Sequence, residues 1–201
     1  MKYNEFDEEY YIMDVSSADN YPNLAFCKSS AAFSYAEPIK EVELPIQTKF
    51  SKTTRPPKNP KFVDALFLKG NIAISKRVFE EFENLNLYGL QMLPIEITTP
   101  KEEIVKDYYV MHIWNEIAAV DKNNYVGDEP DGYGGICGLE SFSLDEKNMI
   151  NTPIEKRLIF KLAESTSIML VRQSVYDAIQ SLNPEGFSFW KVSEWNIGSA
   201  F

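Results

Sequence analysis

The sequence predicts an α+β fold dominated by sheet, and three observations carry that prediction. Short runs of β-branched and aromatic residues recur along the chain. Two amphipathic helical stretches stand out, and each is flanked by strands in the same order. With 201 residues, 44% hydrophobic and 25% charged, the chain is long enough to bury one sizeable core and too short to require two. We expect a single compact domain. In it, residues 1–61, a strand and loop region ending in a basic, proline-rich connector, pack on a main body of residues 62–201.

Taken in order, Tyr10–Val15 reads as the first strand, and Asn23–Phe33 as a short helix. Val42–Ile46 alternates apolar and polar residues, and Pro45 suits an edge strand because it has no N–H to give to a neighbour. From Lys49 to Lys61 the chain carries Lys49, Lys52, Arg55, Lys58 and Lys61 with Pro56, Pro57 and Pro60, which predicts an extended basic connector without regular pairing. A nucleic-acid arm is the sharper reading of those charges; a solvated loop is the simpler one.

Beyond Phe62 the pattern sharpens into two similar segments. Adding 97 to a position in Ile72–Phe79 gives its counterpart in Met169–Tyr176, and the match continues without a gap to Met92 and Phe189. Val78, Phe79, Phe82 and Leu85 fall on one helical face, as do Val175, Tyr176, Ile179 and Leu182. Gly89 and Gly186 stand where the chain leaves each helix and needs a residue tolerant of positive φ. Leu90–Ile95 and Phe187–Val192 follow as strands. Each segment is thus a strand–helix–strand unit, and the pair predicts an internal pseudo-repeat. Between them lie strand candidates at Tyr108–Trp114 and Glu116–Val120, a glycine-rich loop from Gly127 to Gly138, and a strand at Arg157–Leu162.

Catalytic and metal chemistry find few handles. His112 is the only histidine and lies in an aromatic strand, which suits a packed sheet residue better than a general base. One histidine and the two distant cysteines, Cys27 and Cys137, without CxxC spacing, argue against zinc and against a disulfide framework; buried, unpaired thiols are expected. The glycine-rich loop lacks the Lys-Ser/Thr ending of a phosphate-binding loop, and Asp128, Glu129 and Asp131 would repel phosphate. Pro130 and the missing terminal acid spoil a calcium-loop reading. No catalytic residue, metal or cofactor is expected. A carboxylate-dependent hydrolase acting on a small molecule or sugar stays open, since two acids can meet in space without a local motif. So does a structural or oligomerisation module.

Charge supplies the remaining signal. Thirty acidic against twenty basic residues leave a net charge of -10, which disfavours nucleic acid and anionic membranes and steers basic partners. From Asp121 to Glu146 seven acids face one lysine. Tyr125, Asp128, Glu129, Asp131 and Tyr133 are the candidate partner-binding residues, the carboxylates for steering and the aromatic rings for contact area. An acidic N-terminal stretch with no uninterrupted apolar run predicts a cytoplasmic protein.

The runs Gly70–Val78, Gly89–Ile95, Tyr108–Val110, Ile159–Leu162 and Gly186–Phe189 resemble the bacterial immunity protein 11 family of polymorphic-toxin and contact-dependent competition systems. The resemblance covers roughly Phe62 to Val192. It implies a non-catalytic antidote, encoded beside a toxin, that binds and blocks that toxin inside the producing cell. Toxins associated with the family are often nucleases, whose basic sites would suit an acidic inhibitor. The resemblance brings no catalytic residue with it and leaves the oligomeric state open.

Overall fold

The computed structural model of the chain describes residues 2–28 and 31–200. The fold is α+β and sheet-dominated. The first part comprises α1 (Glu5–Glu9), β1 (Tyr10–Val15), β2 (Leu24–Phe26), β3 (Ile46–Phe50) and β4 (Ala65–Leu68). Then come β5 (Asn71–Ser75), α2 (Lys76–Leu85), β6 (Leu90–Thr98), β7 (Ile104–Ile113), β8 (Glu116–Ile117) and β9 (Val120–Val126). The last part holds β10 (Ser141–Leu144), α3 (Glu146–Asn151), β11 (Ile159–Leu162), β12 (Met169–Arg172), α4 (Gln173–Ser181) and β13 (Phe187–Lys191).

Six strands close into a barrel in the order β2-β3-β6-β7-β5-β4, five form a sheet in the order β13-β1-β12-β11-β8, and β9 and β10 pair as a separate hairpin. Alternation along the strands sorts side chains into three cores. Leu66, Leu68, Ala73, Ile95 and Val110 fill the barrel. Ile72, Ile74 and Met111, from the barrel's outer face, meet Met13, Met169 and Val171 of the five-stranded sheet around α2 and α4. On that sheet's other face Tyr10, Ile12, Phe160 and Leu170 pack under β9, β10 and α3. Burial of β1 on both sides explains its unbroken apolar run.

β5–α2–β6 and β12–α4–β13 both form. β5 and β6 each pair antiparallel with β7, which lies between them. β12 and β13 each pair antiparallel with β1, which also lies between them. Ile72 and Met92 face Met111, while Met169 and Phe189 face Met13. Phe79 of α2 stacks on Tyr109 at 3.8 Å, and Tyr176 of α4 stacks on Tyr11 at 4.0 Å. The Gly89 carbonyl accepts from the Trp114 N–H at 2.9 Å, and the Gly186 carbonyl from the Ser16 N–H at 2.9 Å.

Several sequence expectations are corrected. Asn23–Phe33 is not a helix: β2 occupies its start and a short 3₁₀ turn, Ala31–Ser34, its end, with Ser29 and Ser30 outside the described residues. Leu24 is drawn into the barrel core there, and β2 pairs with β3 in a ladder no local pattern announces. The strand expected at Val42–Ile46 begins only at Ile46, and it is no edge, because β3 lies between β2 and β6. Pro94 is tolerated inside β6 because β3 begins to pair only at Ile95, leaving that side of Pro94 without a strand neighbour. The strand expected at Glu116–Val120 divides at Ala118 and Ala119 into β8 and β9, which join different sheets.

Candidate functional site

The acidic stretch singled out in the sequence is built on the β9–β10 hairpin, whose long connection runs from Gly127 to Glu140. Its base is fixed by burial. Ile136 and Leu139 turn inward onto Phe142, Leu144 and Trp195. The Asp128 N–H donates to the Cys137 carbonyl at 3.2 Å, the Glu140 N–H to the Val126 carbonyl at 2.7 Å, and the Ile136 N–H to the Glu164 carbonyl at 2.7 Å. The buried Glu164 carboxylate accepts from the N–H groups of Ala119 and Val120 at 3.2 Å each, holding the start of β9 to the same support.

The tip is ordered by Asp131. Its Oδ1 accepts from the N–H groups of Tyr133 at 2.8 Å and Gly135 at 2.9 Å. Its own N–H donates to the Gly135 carbonyl at 2.8 Å. Asp131 therefore shapes the turn as well as charging it. Tyr133 projects from this turn fully into solvent, at 102% relative exposure. Asp128 and Glu129 are exposed beside it. Tyr125 is only half-exposed: it packs on the core beneath the hairpin, and its hydroxyl donates to the Asp128 carbonyl at 3.4 Å.

Of the other four acids of the stretch, Glu140 closes the loop just before β10, and three are carried to the hairpin's other end. Asp121, Asp145 and Glu146 line an open polar cavity of about 530 Å³ together with Lys2 and Lys147. Asp145 accepts from the Asn148 N–H at 2.9 Å as the N-cap of α3, and Asp121 accepts from the Asn123 N–H at 2.9 Å. These two carboxylates thus serve local turns, and only the loop group shares one surface with Tyr133.

Both cysteines are exposed, which corrects the expectation of buried thiols. Ile136 points inward, so Cys137 next to it faces out; Cys27 lies just past the end of β2. His112 of β7 is fully buried at the barrel end, against the edge of Phe33 at 5.6 Å, with Nε2 2.8 Å from the Glu37 carbonyl. Burial lowers its pKa, partly offset by the bond to Glu37, and the Lys161 charge lowers it further. Nδ1 has no partner. Among the described residues no group of three or more His, Cys, Asp or Glu side chains is placed to hold a metal ion.

Sequence reasoning passed over Asp7, which is fully buried. Its carboxylate accepts from the Ser143 hydroxyl at 2.6 Å and the Leu144 N–H at 2.7 Å, tying α1 to β10. The signal was present: Asn4 and Asp7 have capping-box spacing, and the reciprocal bonds are both made.

The sequence pattern of one protein family, described as Immunity protein family (Imm11), matches residues 9–194. The chain belongs to this family. No protein with a curated description matches it. The Imm11 match begins at residue 9, so it takes in β1, β2 and β3 as well as the main body from which the resemblance was read. It also takes in the whole hairpin and acidic loop. Among the described residues of this Imm11 chain, no helix is long and apolar enough to cross a membrane.

Proposed function

We propose that the chain neutralises a cognate bacterial toxin by binding it, without catalysis, in the cytoplasm of the cell that makes it. Membership of an immunity-protein family supports a toxin-directed role. The observation that carries the choice of surface is the fully exposed Tyr133, presented on an acidic loop already ordered by Asp131 and by the buried Ile136 and Leu139. A pre-ordered loop gives up little conformational entropy on binding, and an exposed aromatic ring on a loop that also carries exposed carboxylates suits a cationic partner. Tyr125, Asp128, Glu129, Asp131 and Tyr133 form the proposed contact surface, and a nuclease with a basic active site is the toxin class it fits. We also read the two strand–helix–strand units as an internal pseudo-repeat, supported by their matching registers.

The direct test is co-purification of the chain with the product of the neighbouring gene, followed by assay of that product's toxicity. A complex that silences the product supports the reading. Unimpaired toxicity in the presence of excess chain rules it out.

A further inference from the structure

The basic segment found in the sequence is not absorbed by the acidic surface, and it forms a structure of its own. Residues 51–61 carry Lys52, Arg55, Lys58 and Lys61 with no acidic residue. They leave β3 and return to nearly the same place: the Ser51 N–H donates to the Asn23 carbonyl at 2.7 Å, and the Lys61 N–H to the Asn20 carbonyl at 2.8 Å. The result is a closed Ω-like loop, stiffened by Pro56, Pro57 and Pro60, rather than a connector. Lys61 is neutralised by Glu185. Among the described residues, no ion pair or hydrogen bond engages the side chains of Lys52, Arg55 or Lys58, and all three are exposed.

Beneath the loop a polar cavity of about 290 Å³ is lined by Arg55 with Ser17, Asn23, Ser51 and Thr54, and by Asp19. The Arg55 guanidinium is the group in this lining that grips a carboxylate, while the Ser51 hydroxyl is already bonded to the Thr53 hydroxyl at 2.7 Å, and Asp19 is the one acidic residue among the described lining residues. The loop leaves from the barrel side, next to Phe50 of the barrel core, whereas the acidic loop is anchored on the far face of the five-stranded sheet. The two charged loops therefore address different partner surfaces.

We propose that the 51–61 loop is a second docking site, which takes a carboxylate-rich segment of a protein partner. Three unpaired cations held on a closed loop are complementary to such a segment. A nucleic acid fits less well, because residues 51–61 contain no aromatic side chain on which a base could stack. The inference stands apart from the toxin-binding reading, which would survive its failure.

The test uses the full chain and two labelled probes, an oligoglutamate and an oligothymidylate of equal length, with binding followed by fluorescence anisotropy at low salt. Oligoglutamate should bind the wild type, and K52E/R55E/K58E should weaken it about tenfold or more. The control K69E/K101E/K147E, which reverses three exposed lysines elsewhere and reaches the same net charge, should change it by less than about threefold. Equal losses in the two variants, no binding of oligoglutamate to the wild type, or tighter binding of oligothymidylate would each overturn the proposal. Should the triple reversal unfold the chain, K52Q/R55Q/K58Q gives the same reading with a smaller charge change.

Discussion

Arg77 at the start of α2 grips Asp64 with both arms of its guanidinium, Nε donating to Oδ1 at 2.6 Å and Nη2 to Oδ2. The same guanidinium donates through Nη1 to the Leu182 carbonyl at 2.8 Å, at the end of α4. Asp64 in turn accepts from the Ser75 hydroxyl at 2.7 Å and the Glu185 N–H at 2.9 Å. One ion pair thus joins the two strand–helix–strand units where their helices meet.

This pair should dominate stability in acid. Burial pushes the Asp64 carboxyl up, but the bonds from Arg77, the Glu185 N–H and Ser75 outweigh it and hold the pKa at about 2. A folded value below the unfolded one, about 3.9, gives stability that is fully present above that value and is lost as pH falls toward 2. Arg77 is half-exposed, so solvent screening leaves about 1–2 kcal/mol at stake. Urea unfolding of the wild type and Asp64→Asn should show a gap near neutrality that narrows below about pH 4 and closes toward about pH 2. A gap independent of pH would contradict this.

The chain leaves α2 through Asn86 at φ 47° and follows α4 with Asn183 at φ 49°, so Gly89 and Gly186 stand not at the helix exits but three residues further on, just before β6 and β13, where space as well as φ dictates glycine. Gly89 has φ +80°, and a Cβ there would lie 2.1 Å from Cβ of Asn115; Gly186 has φ +96°, and its Cβ would lie 2.3 Å from the Ala65 carbonyl oxygen. Gly70 has φ +79° with nothing within 4 Å of an added Cβ. Gly89→Ala and Gly186→Ala should each cost about 3 kcal/mol, and Gly70→Ala only about 1 kcal/mol. Thermal unfolding of the three variants checks the order, and equal losses would show that φ alone matters.

His112 titrates with the opposite partner logic but the same sign. Its folded pKa lies below the ordinary value, so its contribution is intact above about 6.5 and is lost as pH falls through the lowered value. His112→Phe removes this group along with its bond to Glu37. The variant should be less stable than wild type near pH 7, with the difference shrinking toward about pH 5. Chemical denaturation at the two pH values measures it.

Much of the architecture could be read from local pattern, and what could not is non-local. Both strand–helix–strand units follow from the short apolar runs Ile72–Ile74 and Met169–Val171 and the helical faces at Val78 and Val175; the glycines mark the entries to the second strands rather than the helix ends. β1 could be read as a strand, but nothing in Tyr10–Val15 says that its neighbours are β12 and β13, more than 150 residues away. Barrel closure depends likewise on the pairing of β2 with β3 and β4. The acidic loop was legible as exposed acids and tyrosines. Its anchoring by the Glu164 carbonyl, which accepts from the Ile136 N–H, was not, because that residue arrives from another part of the chain.

The loop's order should matter to binding as much as its charge. Ile136 is buried and Tyr133 is free of the core, so the two separate order from contact. Ile136→Ala should cost about 2–4 kcal/mol of stability or expose the loop to proteolysis, and weaken the complex with the toxin. Tyr133→Ala should leave stability within about 0.5 kcal/mol and still weaken the complex by about 1–3 kcal/mol. Limited proteolysis beside an affinity measurement separates the two effects.

The central claim, that the chain binds a toxin through its acidic loop, is tested most directly by association kinetics with the product of the neighbouring gene. Wild type and D128K/E129K/D131K are compared across a salt series. The account predicts a tight wild-type complex whose association slows as salt rises, and a variant that associates at least about tenfold more slowly with little salt dependence. A variant that binds as fast and as tightly as wild type would contradict the assigned surface, and a wild type that forms no complex would contradict the toxin-binding function itself.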